Sequence, residues 1–216
     1  MIAAVSASGG HRLRRLPFRD GAPEAGPQSL PAWVNASYAT MAGTDRGSVG
    51  GVRDQARSRL ADKSLKPDDQ ALIHIVLSAA HGRLAELGED RISNGMAAFS
   101  EISNAVKASP SCKDAVTSYG RTILAFTKRS WGERVGITVG LGISISSEAS
   151  SAAKLLGQFP DDAFSQQLRL DLARWADDKN QAKEAERALA KLDPKSVEWA
   201  KGTIGSDQKR SEQQKR

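Results

Sequence analysis

Apolar positions along this chain recur mostly at spacings of three and four, the period of a helix that buries one face. The pattern is clearest over Pro67–Leu87. Leu72, Ile75, Val76, Ala79, Ala80, Leu84 and Leu87 share one side there. Ile73 and Leu77 widen that side, which predicts a central, largely buried helix. Pro67 suits the first helical position, Asp68 and Asp69 favour the positive end of the dipole, and Gly88 supplies a stop. Arg91–Lys107 follows, with a seam of Ile92, Met96, Phe99, Ile102 and Val106. Ser109-Pro110 ends it. Ser111-x-x-Asp114 has the form of a capping box that opens a third helix, with Val116, Tyr119, Ile123 and Phe126 on its inner face.

Further along, Ser146–Gln158 is expected to be helical through Ala152–Leu156. Phe159-Pro160-Asp161-Asp162 starts a strong helix carrying Phe164, Leu168, Leu172 and Trp175. Asp177–Asn180 interrupts the period. Ala182, Ala185, Leu189 and Leu192 then resume it up to Asp193-Pro194. Lys195–Lys201 adds a turn or two with Trp199. Upstream, Val52–Asp62 reads as a short polar helix, and Trp33–Met41 as a strand or a short segment laid on the body.

One run departs from this rule. From Val135 to Ser146, long residues (Val135, Ile137, Val139, Leu141, Ile143, Ile145) alternate strictly with small ones. Period 2 is the signature of a strand with one apolar face. Read as a helix, the same run with Gly132 just before it places Gly132, Gly136, Gly140 and Ser144 four apart, a small-residue stripe that permits close helix–helix contact. Three glycines weaken either regular state, so strand, close-packed helix and mobile loop all stay open. A segment that breaks the local rule of its own protein is a candidate interaction site.

These elements predict a mainly α fold: a compact bundle of about five to six helices, with room for one short β element and with disordered basic termini. Residues 1–51 are expected to be flexible. Four prolines and Gly9-Gly10 fall within the first 32 residues, and Gly43, Gly47, Gly50 and Gly51 make 43–51 look like a linker. The helical domain is expected over 52–203, and a disordered charged tail over 204–216.

The chain has 216 residues and a net charge of +6, and the excess sits at the ends. Residues 1–66 hold ten Lys/Arg against five Asp/Glu, and the cluster His11-Arg12-Leu13-Arg14-Arg15-Leu16 is the most basic stretch. Basic ends without a basic body argue against a dedicated nucleic-acid-binding fold. They leave room for salt-sensitive attraction to nucleic acid or anionic lipid. The apolar stretch between Arg134 and Glu148 is too short to cross a bilayer. With no cleavable secretory signal recognised, the expected location is cytoplasmic or exported by another route, as in a bacterial accessory or effector-like protein.

Little in the sequence points to chemistry. The single cysteine, Cys112, excludes an internal disulfide. His74 and His81 stand seven apart, about 10.5 Å along a helix, too far to share one metal ion directly. The doublets Asp68-Asp69, Asp161-Asp162 and Asp177-Asp178 fall where helices begin or break, as capping requires. Arg121, beside Gly120, is a lone arginine without a phosphate loop. No metal ligand set or cofactor is expected.

The first functional expectation is therefore a non-enzymatic helical module that binds an unidentified protein partner. Its candidate binding residues are Trp131, Gly136, Gly140, Leu141 and Ile143, with Trp131 as anchor. Two alternatives accompany it. One is electrostatic binding of nucleic acid or anionic membrane through the termini. The other is an enzyme or enzyme regulator whose site is assembled from dispersed residues. A homo-oligomer is also left open.

Overall fold

The computed structural model describes residues 29–213, with side chains described as far as residue 206. The described residues form ten helices and no strand. In chain order they are α1 (Leu30–Met41), α2 (Arg46–Leu60), α3 (Pro67–Glu86), α4 (Arg91–Ala108), α5 (Lys113–Thr127), α6 (Trp131–Leu141), α7 (Ile145–Leu156), α8 (Ala163–Trp175), α9 (Lys179–Leu189) and α10 (Pro194–Gln213). The mainly α expectation holds. The count of five to six helices and the short β element do not.

Both errors have local causes. Trp33–Met41, expected as a strand or laid-on segment, is α1, which buries Trp33, Ser37 and Met41 at four-residue spacing. The glycine-rich linker expected over 43–51 lies largely inside α2. Asp45 caps α2 by accepting from the Ser48 amide at 2.7 Å. Val49, Val52 and Ala56 then bury one stripe. Each helical glycine costs about 1 kcal/mol relative to alanine, and that packed stripe offsets the cost. Among the described residues, helical structure thus reaches back to Leu30, inside the segment 1–51 expected to be flexible. At the other end, α10 continues through Gln213, into the tail 204–216 expected to be disordered. The basic cluster His11–Leu16 lies outside the described residues.

Helix α3 is the axle of the fold. One side carries Ile73, Val76, Leu77, Ala80 and Leu84 into a core shared with α1 and α2. The other side turns Ala71 and Ile75 into a larger core built from α4, α5, α7 and α8. A helix wetted on neither side reads as apolar nearly all round, as the Pro67–Leu87 pattern does. α3 and α4 run antiparallel and are stitched by three polar contacts in register. His74 Nδ1 lies 2.7 Å from Glu101 Oε2, the Ser78 hydroxyl donates to the Ala98 carbonyl, and His81 Nδ1 lies 2.7 Å from Asn94 Oδ1.

In the larger core, α5 approaches α7 and α8 closely. A Cβ at Gly120 would stand 2.9 Å from Leu168 Cδ2 and 3.1 Å from Leu156 Cδ1. The expected capping box at Ser111-x-x-Asp114 is not what opens α5. Cys112 is the N-cap and makes no side-chain cap bond. Two of the three acidic doublets cap, while Asp68 and Asp69 lie in the first turn of α3 without a cap bond. Asp162 accepts from the Ser165 amide at the start of α8, and Asp178 from the Gln181 amide at the start of α9.

Candidate docking face on helix α6

The period-2 run is two helices and the turn between them. α6 opens at Ser130 with a full capping box: the hydroxyl accepts from the Glu133 amide and the Glu133 carboxylate accepts from the Ser130 amide. Gly142, at φ +65°, closes it in the left-handed conformation that glycine adopts without strain. Ser144 then caps α7 by accepting from the Ser147 amide. Alternation along the sequence and helical caps compete here, and the caps prevail because they satisfy amides that a lone strand would leave open.

α6 is held at its root and free along its length. Arg134 donates to the Arg129 carbonyl at 2.8 Å, satisfying one of the orphan carbonyls after α5. Arg129 pairs with Glu133 at 3.7 Å. Ile137 is the one buried residue of the helix, and Leu141 packs half-buried against the larger core. The opposite side carries Trp131, 75% exposed, Val135, 42%, and Val139, 77%. Their four-residue spacing makes one continuous apolar ridge. Beside the ridge, a Cβ placed at Gly132 or Gly136 would meet no atom within 4 Å.

Of the five residues singled out in the sequence, Trp131 and Gly136 lie on this open face. Gly140 is half-buried at its margin. Leu141 and Ile143 are turned inward and support the turn after α6 by packing on the larger core. Sequence reasoning did not single out Val135 and Val139. Their signal was the i, i+4, i+8 series that begins at Trp131, which the strand-like alternation masked.

Ordinary neighbourhoods surround the other candidate residues. Cys112 is half-buried, and burial pushes its thiol up, away from the reactive thiolate. Asp68 accepts a 2.5 Å hydrogen bond from the Ser109 hydroxyl. Arg121 lies 6.0 Å from the Phe164 ring centroid. Among the described residues no group of three His, Cys, Asp or Glu is placed to hold a metal ion. No described helix is long and apolar enough to cross a membrane. The clefts among the described residues include one of about 290 Å³ between α1 and α2 and one of about 380 Å³ among α8, α9 and α10. The first is walled largely by small side chains such as Ala36, Ser37 and Gly51. The second has an apolar floor of Leu170, Leu189 and Val197 with the Arg174–Glu186 ion pair on its rim.

The chain matches no protein-family model, no curated protein sequence and no solved structure.

Proposed function

We propose that this chain is a helical protein-docking module that presents the outer face of α6 to a protein partner. The observation that carries this reading is the row Trp131, Val135 and Val139, exposed on a helix whose root is fixed by a capping box and by Arg134. Apolar surface left in water forfeits about 25 cal/mol per Å² of burial, and a contiguous row of it marks interaction sites more often than scattered single residues do. Trp131 supplies the anchor: a large side chain with two rotatable bonds loses little entropy when it is buried in an interface. The rigid root supplies preorganisation, so that docking need not also order the helix.

The test is site-specific photo-crosslinking in lysate. The photo-reactive residue is placed at Val139, and for comparison at exposed Lys183 on α9. The reading expects discrete adducts from position 139 that are absent from position 183 and lost when Trp131→Ser is added. Equal labelling from both positions, or none from 139, overturns it.

A further inference from the structure

We infer that the partner of α6 is α6 of a second copy of this chain, the two helices packing side by side about a two-fold axis. This rests on the docking role proposed above and names its occupant. Three large–small pairs, Trp131-Gly132, Val135-Gly136 and Val139-Gly140, recur at every fourth residue. At 100° per residue the large members form one ridge along the helix and the small members form a groove immediately beside it. The ridge is exposed, and nothing occupies the groove at Gly132 or Gly136. A two-fold axis parallel to the helices turns the ridge of each copy toward the groove of the other, at the same pitch. One surface then serves both sides of the contact, which is the condition for a closed, isologous dimer. The missing Cβ atoms let the backbones approach closely enough for the valines and Trp131 to fill the grooves. Ile137 and Leu141 attach α6 to the core from its far side, so the two bodies point away from the contact.

Electrostatics permits this pairing. The chain carries a net charge of +6, yet neither the ridge nor the groove holds a charged side chain. Glu133 is engaged by Ser130 and Arg129, and Arg134 by the Arg129 carbonyl. Two copies therefore meet without placing like charges in the contact. The area sets the strength. Ten helical residues span about 15 Å, and such a strip falls well short of the roughly 800 Å² per partner that stable dimers bury. The dimer is accordingly weak and forms only at high protein concentration.

Sedimentation velocity on the full chain from about 5 μM to about 500 μM decides the matter. The expected result is a weight-average coefficient that climbs from monomer towards dimer over this range, with the rise abolished by Gly136→Leu and, separately, by Val139→Glu. The first fills the groove and the second charges the ridge. Position 136 faces open space and position 139 is mostly exposed, so both variants keep their helices, which circular dichroism checks. A monomer at every concentration overturns the inference, as does a dimer that persists in either variant. The crosslinking experiment at Val139 separates the two proposals. Adducts to a different protein, from a chain that stays monomeric, leave the docking role standing and remove self-pairing. A chain that is monomeric and makes no adducts loses both.

Discussion

Arg57 Nη2 lies 3.3 Å from Nε2 of the buried His81, whose Nδ1 faces Asn94 Oδ1 at 2.7 Å. The Asn94 amide nitrogen donates to the Glu89 carbonyl, which assigns its oxygen as an acceptor. His81 therefore donates from Nδ1 and accepts the Arg57 proton at Nε2, so the neutral imidazole is the one that fits. Burial holds the His81 pKa below its ordinary value, with the Arg57 and Arg53 cations adding to the effect and Asn94 and Glu101 opposing it.

A pH dependence of stability follows. With the folded pKa lowered, the unfolded chain binds the extra proton first as pH falls below about 6.5. Stability is thus fully present above that pH and is lost as pH falls towards the folded pKa, at up to about 1.4 kcal/mol per pH unit. Urea midpoints measured between pH 7.5 and 5.5 should fall over this window, and the fall should flatten in His81→Gln. An identical slope in the variant would assign the dependence to another group.

Arg169 is nearly buried and joins three helices. Its Nε donates to Gln181 Oε1 at 2.9 Å, another nitrogen reaches the Glu184 carboxylate, and Nη1 lies 3.4 Å from Gln166 Oε1. Gln166, fully buried, in turn donates to the Leu156 and Phe159 carbonyls at the end of α7. Arg169→Met should cost about 2–4 kcal/mol, because it strips partners from buried amides. Glu184→Gln should cost less than about 1 kcal/mol, since the Glu184 side chain is 57% exposed and water replaces the lost contact. Denaturant titration of both variants measures this asymmetry; equal losses would contradict it.

Gly120 offers a test of the larger core. A valine there must displace Leu168 and Leu156, both fully buried, and the cost should reach about 2–3 kcal/mol. Thermal unfolding of Gly120→Val against Gly51→Val sets the scale, because nothing lies within 4 Å of a Cβ at Gly51. Similar melting temperatures for the two would mean that the α5–α8 approach is looser than these distances.

The parts of the fold that were legible in the sequence are those where local signals agree with one another. α3 has a proline at its start, two aspartates in its first turn and a glycine after its end, and its apolar face is wide. Val52–Asp62 reads as a helix, but the start of α2 at 46–51 was illegible, because its glycines argue for a loop and only the contact of Val49, Val52 and Ala56 with the body reverses that. Such tertiary support leaves little local trace. The site was half legible. Trp131 and Gly136 stand out by composition, but the outward ridge emerges only when α6 is a helix. The deciding signals were the Ser130-x-x-Glu133 box and Gly142, two short motifs set against twelve residues of strand-like alternation.

Gly132 and Gly136 separate a docking role from an internal one. Core packing does not explain these glycines, because a Cβ at either would touch nothing within 4 Å. Nor is either at the positive φ that would demand glycine, unlike Gly142. Inside α6 each therefore weakens the helix relative to alanine with no contact within the chain to offset it. Gly136→Ala should raise stability by about 0.5–1 kcal/mol, and Gly142→Ala should lower it by about 1 kcal/mol through backbone strain. Chemical denaturation of the two single variants checks both signs. A stabilising Gly136→Ala that also weakens association would show that the chain gives up helix stability for a groove. A destabilising Gly136→Ala would instead mean that α6 packs more tightly on the body than its open face indicates.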